Sequence, residues 1–162
     1  MAIELLPARP EFMKVAINVA KEAAAAGNYP IGSVVVRGDE VVASAFTSLH
    51  TSLDPTAHGE VLAIRGAAKA LGTIRLEECE LYSTLEPCPM CTTAALWARM
   101  SRVVFGASQA DAIQHASANP NEKFTWRQIE IPCDYIAARG NPPLAVRGGF
   151  MRDECVDLMR LT

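Results

Sequence analysis

The chain has no apolar run approaching the roughly 20 residues that a membrane-spanning helix needs. Its opening, MAIELLPARPEFMK, has no basic stretch leading into an apolar one with a small-residue cleavage site. The expectation is a soluble, cytoplasmic protein with no membrane partner. Concentrated positive charge is also missing. Fifteen Lys and Arg are scattered among 18 Asp and Glu, for a net charge of −3. Affinity for a phosphate backbone comes from clustered cations that displace counterions, so this balance argues against a nucleic-acid partner and for a small substrate. The five cysteines are an odd number in a 162-residue chain that needs no staples, which argues against a secreted disulfide framework. No repeat, low-complexity tract or linker breaks the chain, so residues 1–162 read as one domain.

What is present is ordinary globular composition, half hydrophobic and one-fifth charged. From Pro10 the residues Phe12, Val15, Ala16, Val19, Ala20 and Ala23 recur at helical spacing until Gly27. Two β-branched runs flank Arg37-Gly38-Asp39-Glu40 and predict a hairpin. The segment 47–56 reads as a loop, and AHGEVLAIRGAAKALG as a helix ended by Gly72. ECELYSTL reads as a central strand, EPCPMCTTAALWARM as a loop turning into a helix, and SRVVFGA as a further strand. Helical composition follows Ser108 and gives way to an ASANPN loop. The Pro- and Gly-rich stretch from Pro132 to Val146 gives no clear element, and the tail predicts a last amphipathic helix. This order implies a three-layer α/β/α sandwich around a mixed sheet of about five strands.

Two short segments carry chemistry. His58-Gly59-Glu60 opens one helix and Pro87-Cys88-Pro89-Met90-Cys91 opens another. Cys88 and Cys91, three apart, fall on one face of a helical first turn, so both sulfurs can reach one ion. A helix N-terminus favours the thiolate that zinc requires. One histidine and two thiolates leave a corner open, as a catalytic Zn²⁺ site does; no further Cys or His with matching spacing closes it. Two thiolates neutralise the ion's charge and weaken it as a Lewis acid. A nearby carboxylate must therefore help activate water, and Glu60 is the candidate. Alone, the Cys-x-x-Cys pair would also suit a redox centre, but neither a preceding Trp-Cys nor a βαβ start accompanies it.

HxE followed by PCxxC is the zinc deaminase pattern. Over about residues 11–110, DPTAHGEVLAIR, LEPCPMCTTAALWARMSRVVFGA and YPIGSVVV resemble the cytidine deaminase-like superfamily. The branch is that of bacterial guanine deaminases, fungal cytosine deaminases and tRNA adenosine deaminases. The resemblance implies hydrolytic deamination of an aromatic ring with loss of ammonia, Glu60 carrying the protons, and a homodimer.

Three departures bear on the substrate. Relatives that handle nucleobases place an Asn about eleven residues before the zinc histidine, where this chain has Thr47, whose hydroxyl offers a ring edge less. Gly59 stands where the guanine and tRNA enzymes commonly have Ala. The tail mixes Arg with Asp and Glu, whereas the tRNA enzymes tend to carry a basic helix. The leading expectation is deamination of a free nucleobase or base-like heterocycle of guanine, cytosine or triazine type. The alternatives are tRNA adenosine-to-inosine deamination and a non-catalytic zinc-stabilised subunit. Thr47, His50 and Asp111 are candidate substrate contacts; Asp111 serves equally as a helix-dipole partner. Phe46, Phe124 and Trp126 are candidates to stack on a ring, with core packing the leading reading for Phe46, and Cys79, Cys133 and Cys155 read as buried apolar residues.

Overall fold

The computed structural model describes residues 6–162. Its five strands are β1 (Gly32–Arg37), β2 (Glu40–Phe46), β3 (Cys79–Leu85), β4 (Arg102–Ala107) and β5 (Ala145–Arg147). They form one sheet in the order β2-β1-β3-β4-β5. The hairpin β1–β2 and the pair β1–β3 are antiparallel, whereas β3–β4 and β4–β5 are parallel. The mixed sheet expected from the sequence is present, and ECELYSTL is its central strand.

Helices cover both faces, which explains why the central strands are apolar at consecutive positions rather than alternate ones. Val34, Val36, Tyr82 and Val104 face α1 (Pro10–Ala25) and the C-terminal helix α7 (Arg152–Asp157). Val35, Leu81 and Val103 face α3 (Gly59–Leu71), α4 (Pro89–Trp97) and α6 (Cys133–Ala137). The first layer closes through α5 (Gln109–Ala118) and a 3₁₀ turn, Leu158–Leu161. The fit is close where α1 crosses β1. A Cβ on Gly32 would stand 2.1 Å from the Ala16 carbonyl oxygen and 2.6 Å from the Ala20 nitrogen, so only glycine permits this approach.

Two segments differ from the sequence reading. Within the expected loop 47–56, Leu49–Ser52 forms a helical turn, α2. Its capping group is remote: Asn28 Oδ1 accepts from the backbone N–H of His50 at 3.1 Å and of Thr51 at 3.2 Å. A cap more than twenty residues upstream leaves no local signature. The stretch from Pro132 to Val146 holds α6 and the first two residues of the edge strand β5, both elements too short to impose a periodicity. No helix among the described residues is long and apolar enough to cross a membrane.

Candidate active site

The chemistry collects just beyond the C-terminal end of β3, where α3 and α4 begin, a place open α/β sheets favour for ligands. His58 is the residue before the first turn of α3 and Cys88 the one before the first turn of α4, both in extended conformation, with Cys91 one turn into α4. Pro89 opens α4, where its missing N–H costs no helical bond. Two helix N-termini, with their partial positive charge, therefore flank the two sulfurs.

His58 Nδ1 lies 3.6 Å from Cys88 Sγ and 3.5 Å from Cys91 Sγ, and the two sulfurs are 3.7 Å apart. Zinc bonds of about 2.3 Å to sulfur and about 2.0–2.1 Å to nitrogen, at tetrahedral angles, require separations of about 3.8 Å and about 3.6 Å. The donor triangle thus has the dimensions of three corners of a zinc tetrahedron. His58, Cys88 and Cys91 are the metal-competent cluster among the described residues. The thiol of Cys88 is held down to about 4, first by its hydrogen bond with Cys91 and, against the effect of burial, by His58. The same bond, with burial, pushes Cys91 well up. A divalent cation that displaces the thiol protons makes both sulfurs ligands. The His58 imidazole is raised by its bond to Cys88 against the effect of burial.

Glu60, in the first turn of α3, is buried at 3 % exposure. Burial raises its carboxyl above the usual range, with the neighbouring His58 pulling the other way. Ser83 Oγ donates to Glu60 Oε1 at 3.2 Å, and Ser33, its cross-strand neighbour on β1, donates to Ser83 at 3.4 Å. Oε2 is buried without a hydrogen-bond partner among the described residues. A buried carboxylate with one oxygen fixed and the other free, beside a zinc-sized donor triangle, suits a group that receives and returns a proton.

A cavity of about 380 Å³ opens onto these groups, with Thr47, Glu86, Met90 and the segment Thr125–Ile129 among its walls. A larger, more open groove of about 440 Å³ lies between α1 and the C-terminal helix and holds none of the metal-competent side chains. The chemistry, not the volume, marks the smaller cavity as the site.

The three candidate substrate contacts fall differently. Thr47 lines the cavity, and its hydroxyl accepts from the Gly59 N–H at 3.1 Å, which leaves its proton and one lone pair unused by that bond. A Cβ at Gly59 would lie 3.0 Å from the Ala45 carbonyl oxygen, so glycine lets this loop sit close against α3. His50 does not line the cavity; it stacks on Tyr29, which does. Asp111 is also outside the cavity walls. Its carboxylate accepts from the Ser108 N–H at 2.8 Å in a capping box and binds Arg152 through both oxygens. The helix-partner reading of Asp111 is the one its contacts match.

Other site residues escaped the sequence reading. Ser83 and Glu86 both precede the metal motif, in β3 and just after it, and look like ordinary strand residues. Glu86 is buried, accepting from Gln109 N at 2.8 Å and from Cys133 N at 2.9 Å. Trp126, a stacking candidate, lines the cavity with left-handed backbone (φ 51°), a conformation costing a non-glycine residue about 1–2 kcal/mol. Its ring is buried and donates through Nε1 to Thr162 Oγ1 at 3.1 Å.

Residues 8–107 match the model of the cytidine and deoxycytidylate deaminase zinc-binding region. Guanine deaminase of Bacillus subtilis is 41% identical over 124 residues, which is 76% of this chain and 78% of that protein. The tRNA-specific adenosine deaminase of Aquifex aeolicus is 46% identical over 59% of this chain; the match spans 64% of that enzyme, just under two thirds. A solved structure from work on A-to-I editing by tRNA:A34 deaminases superposes with a TM-score of 0.70 at 30% identity, over 93% of this chain and 99% of that one. The chain belongs to the cytidine and deoxycytidylate deaminase family of zinc-dependent hydrolytic deaminases.

Proposed function

We propose that the chain deaminates a free nucleobase or base-like heterocycle, with His58, Cys88 and Cys91 as zinc ligands and Glu60 as proton carrier. The observation that carries this is the free oxygen of buried Glu60 beside the donor triangle, at the floor of a cavity of about 380 Å³. That volume sits near the small end of ligand pockets, a size suited to a single ring system. The net charge of −3 supports a small substrate over an RNA.

Zinc held by His58, Cys88 and Cys91 would supply the Lewis acidity that eases proton loss from water. Glu60 Oε2 takes a proton from the attacking water, whose oxygen adds to the ring carbon bearing the amine. Glu60 returns that proton to the ring nitrogen. The added hydroxyl then gives its proton through the same carboxylate to the amine, the carbon–oxygen double bond forms as the carbon–nitrogen bond breaks, and ammonia leaves. Ser83 holds Oε1, so the proton traffic runs through one oxygen. The Thr47 hydroxyl proton is the group offered to an acceptor on the ring edge.

The chain acts as one domain, as a homodimer and in the cytoplasm. Trp97 on α4, 87 % exposed, is one apolar side chain that a second copy would cover, and five unpaired cysteines suit a reducing compartment.

The test is ammonia release from zinc-loaded protein offered guanine, cytosine, isoguanine, ammeline and azacytosine. Turnover of at least one is expected, and none would reject the reading. The second reading, adenosine-to-inosine conversion in tRNA, draws on the likeness to the tRNA-specific adenosine deaminase at 46% identity. Inosine formed in an anticodon stem-loop, with an inert base panel, would establish it instead.

A further inference from the structure

Thr125–Pro132 has no regular secondary structure, yet five of its residues wall the cavity and side chains from distant elements fasten it at several points. At one end the Tyr29 hydroxyl accepts from the Thr125 N–H at 3.0 Å, and the Trp126 ring is tied to Thr162. At the other, Gln109 Nε2 donates to the carbonyl oxygens of Ile129 at 3.1 Å and Ile131 at 3.0 Å. Gln109 is 7 % exposed, does not line the cavity and begins α5. Its backbone is fixed by Glu86, which also accepts from the Cys133 N–H just beyond the segment. Gln128 Nε2 bonds back to the Trp126 carbonyl at 3.1 Å, so the crest has an internal tie of its own.

We infer that Gln109 is a positioning residue for substrate selection: it holds the Ile129–Ile131 end of Thr125–Ile131 in place as the wall that recognises the substrate, independently of the proton-carrying machinery. The independence follows from the anchoring. Glu60 is set by α3 and by Ser83 on β3, and the metal ligands by the starts of α3 and α4; none of these hydrogen-bonds to Gln109 or to the segment. Freeing the wall therefore weakens substrate binding while leaving the proton transfers intact. The inference rests on the base-deaminase reading for the nature of the substrate, and on the hydrogen bonds above for the wall.

The experiment uses the zinc-loaded full chain and two variants, Gln109→Ala and Gln109→Glu. The second keeps the side chain's size but sets an acceptor against two carbonyls, so it serves if alanine disturbs the fold. Amide hydrogen exchange in 124–133 is expected to quicken about tenfold or more, the effect of two lost hydrogen bonds each worth a factor of a few, with β3 unchanged. With the panel base turned over fastest, KM is expected to rise about tenfold while kcat stays within about threefold and zinc remains stoichiometric. Exchange equal to that of the parent protein overturns the inference, as does kcat falling at constant KM, or zinc loss. The exchange measurement needs no substrate: an inert panel counts against the base reading, and the positioning role is then decided by exchange alone.

Discussion

Replacing Glu60 by glutamine changes one capability and little else. The side chain keeps its length and shape, its carbonyl oxygen can still accept from Ser83 at the present 3.2 Å, and the donor triangle is untouched. What disappears is the ability of the free oxygen, Oε2, to take up and release a proton. General acid–base catalysis by one positioned group contributes about 10²–10⁴ in rate. At about 1.36 kcal/mol per tenfold, that is about 3–5 kcal/mol of barrier. Because the proposed role of Glu60 covers both the water and the departing amine, the loss expected from that proposal belongs toward the upper end. The glutamine variant should therefore hold one zinc per chain by elemental analysis, melt within a few degrees of the parent, keep its KM, and release ammonia 10³–10⁴-fold more slowly, by these same principles roughly. A kcat within about threefold of the parent, with zinc and fold intact, would refute the assignment of Glu60 as proton carrier.

Three further outcomes follow from the same geometry. Cys88→Ser removes one corner of the donor triangle, so zinc should no longer be retained on dialysis, and added zinc should raise the melting temperature of the parent but not of the variant; equal zinc content would mean a misplaced ligand. Arg152→Ala should lower the melting temperature at neutral pH. Burial alone would raise the Asp111 carboxyl, but the bonds from Arg152 and Ser108 outweigh it and hold the group below its ordinary 3.8. The contribution is thus present above the unfolded value and lost as pH falls through the lower folded one, so melting curves of parent and variant should converge below about pH 4; a constant gap would contradict this. Gly32→Ala should destabilise by about 1–3 kcal/mol or more in urea unfolding, because the new Cβ meets α1 backbone at 2.1 Å; a neutral result would mean α1 can move away from β1 at little cost.

The sequence alone determined whatever depends on residues close together in the chain. Helical spacing placed α1, α3 and the C-terminal helix, the β-branched runs around Arg37-Gly38 gave the hairpin, and two short motifs at helix starts named His58, Glu60, Cys88 and Cys91. Tertiary structure decided what depends on partners far apart. Asn28 capping the turn at His50, Ser83 fixing one oxygen of Glu60, and Gln109 fastening the 129–131 backbone all join residues about 20 or more positions apart. Such bonds satisfy backbone and buried polar groups without imposing a period or a local signature, so composition and spacing carry no trace of them. The same holds for Asp111, whose position after a strand could face a cavity or a neighbouring helix. Only the packing of α7 beside β4 brings Arg152 within reach of its carboxylate.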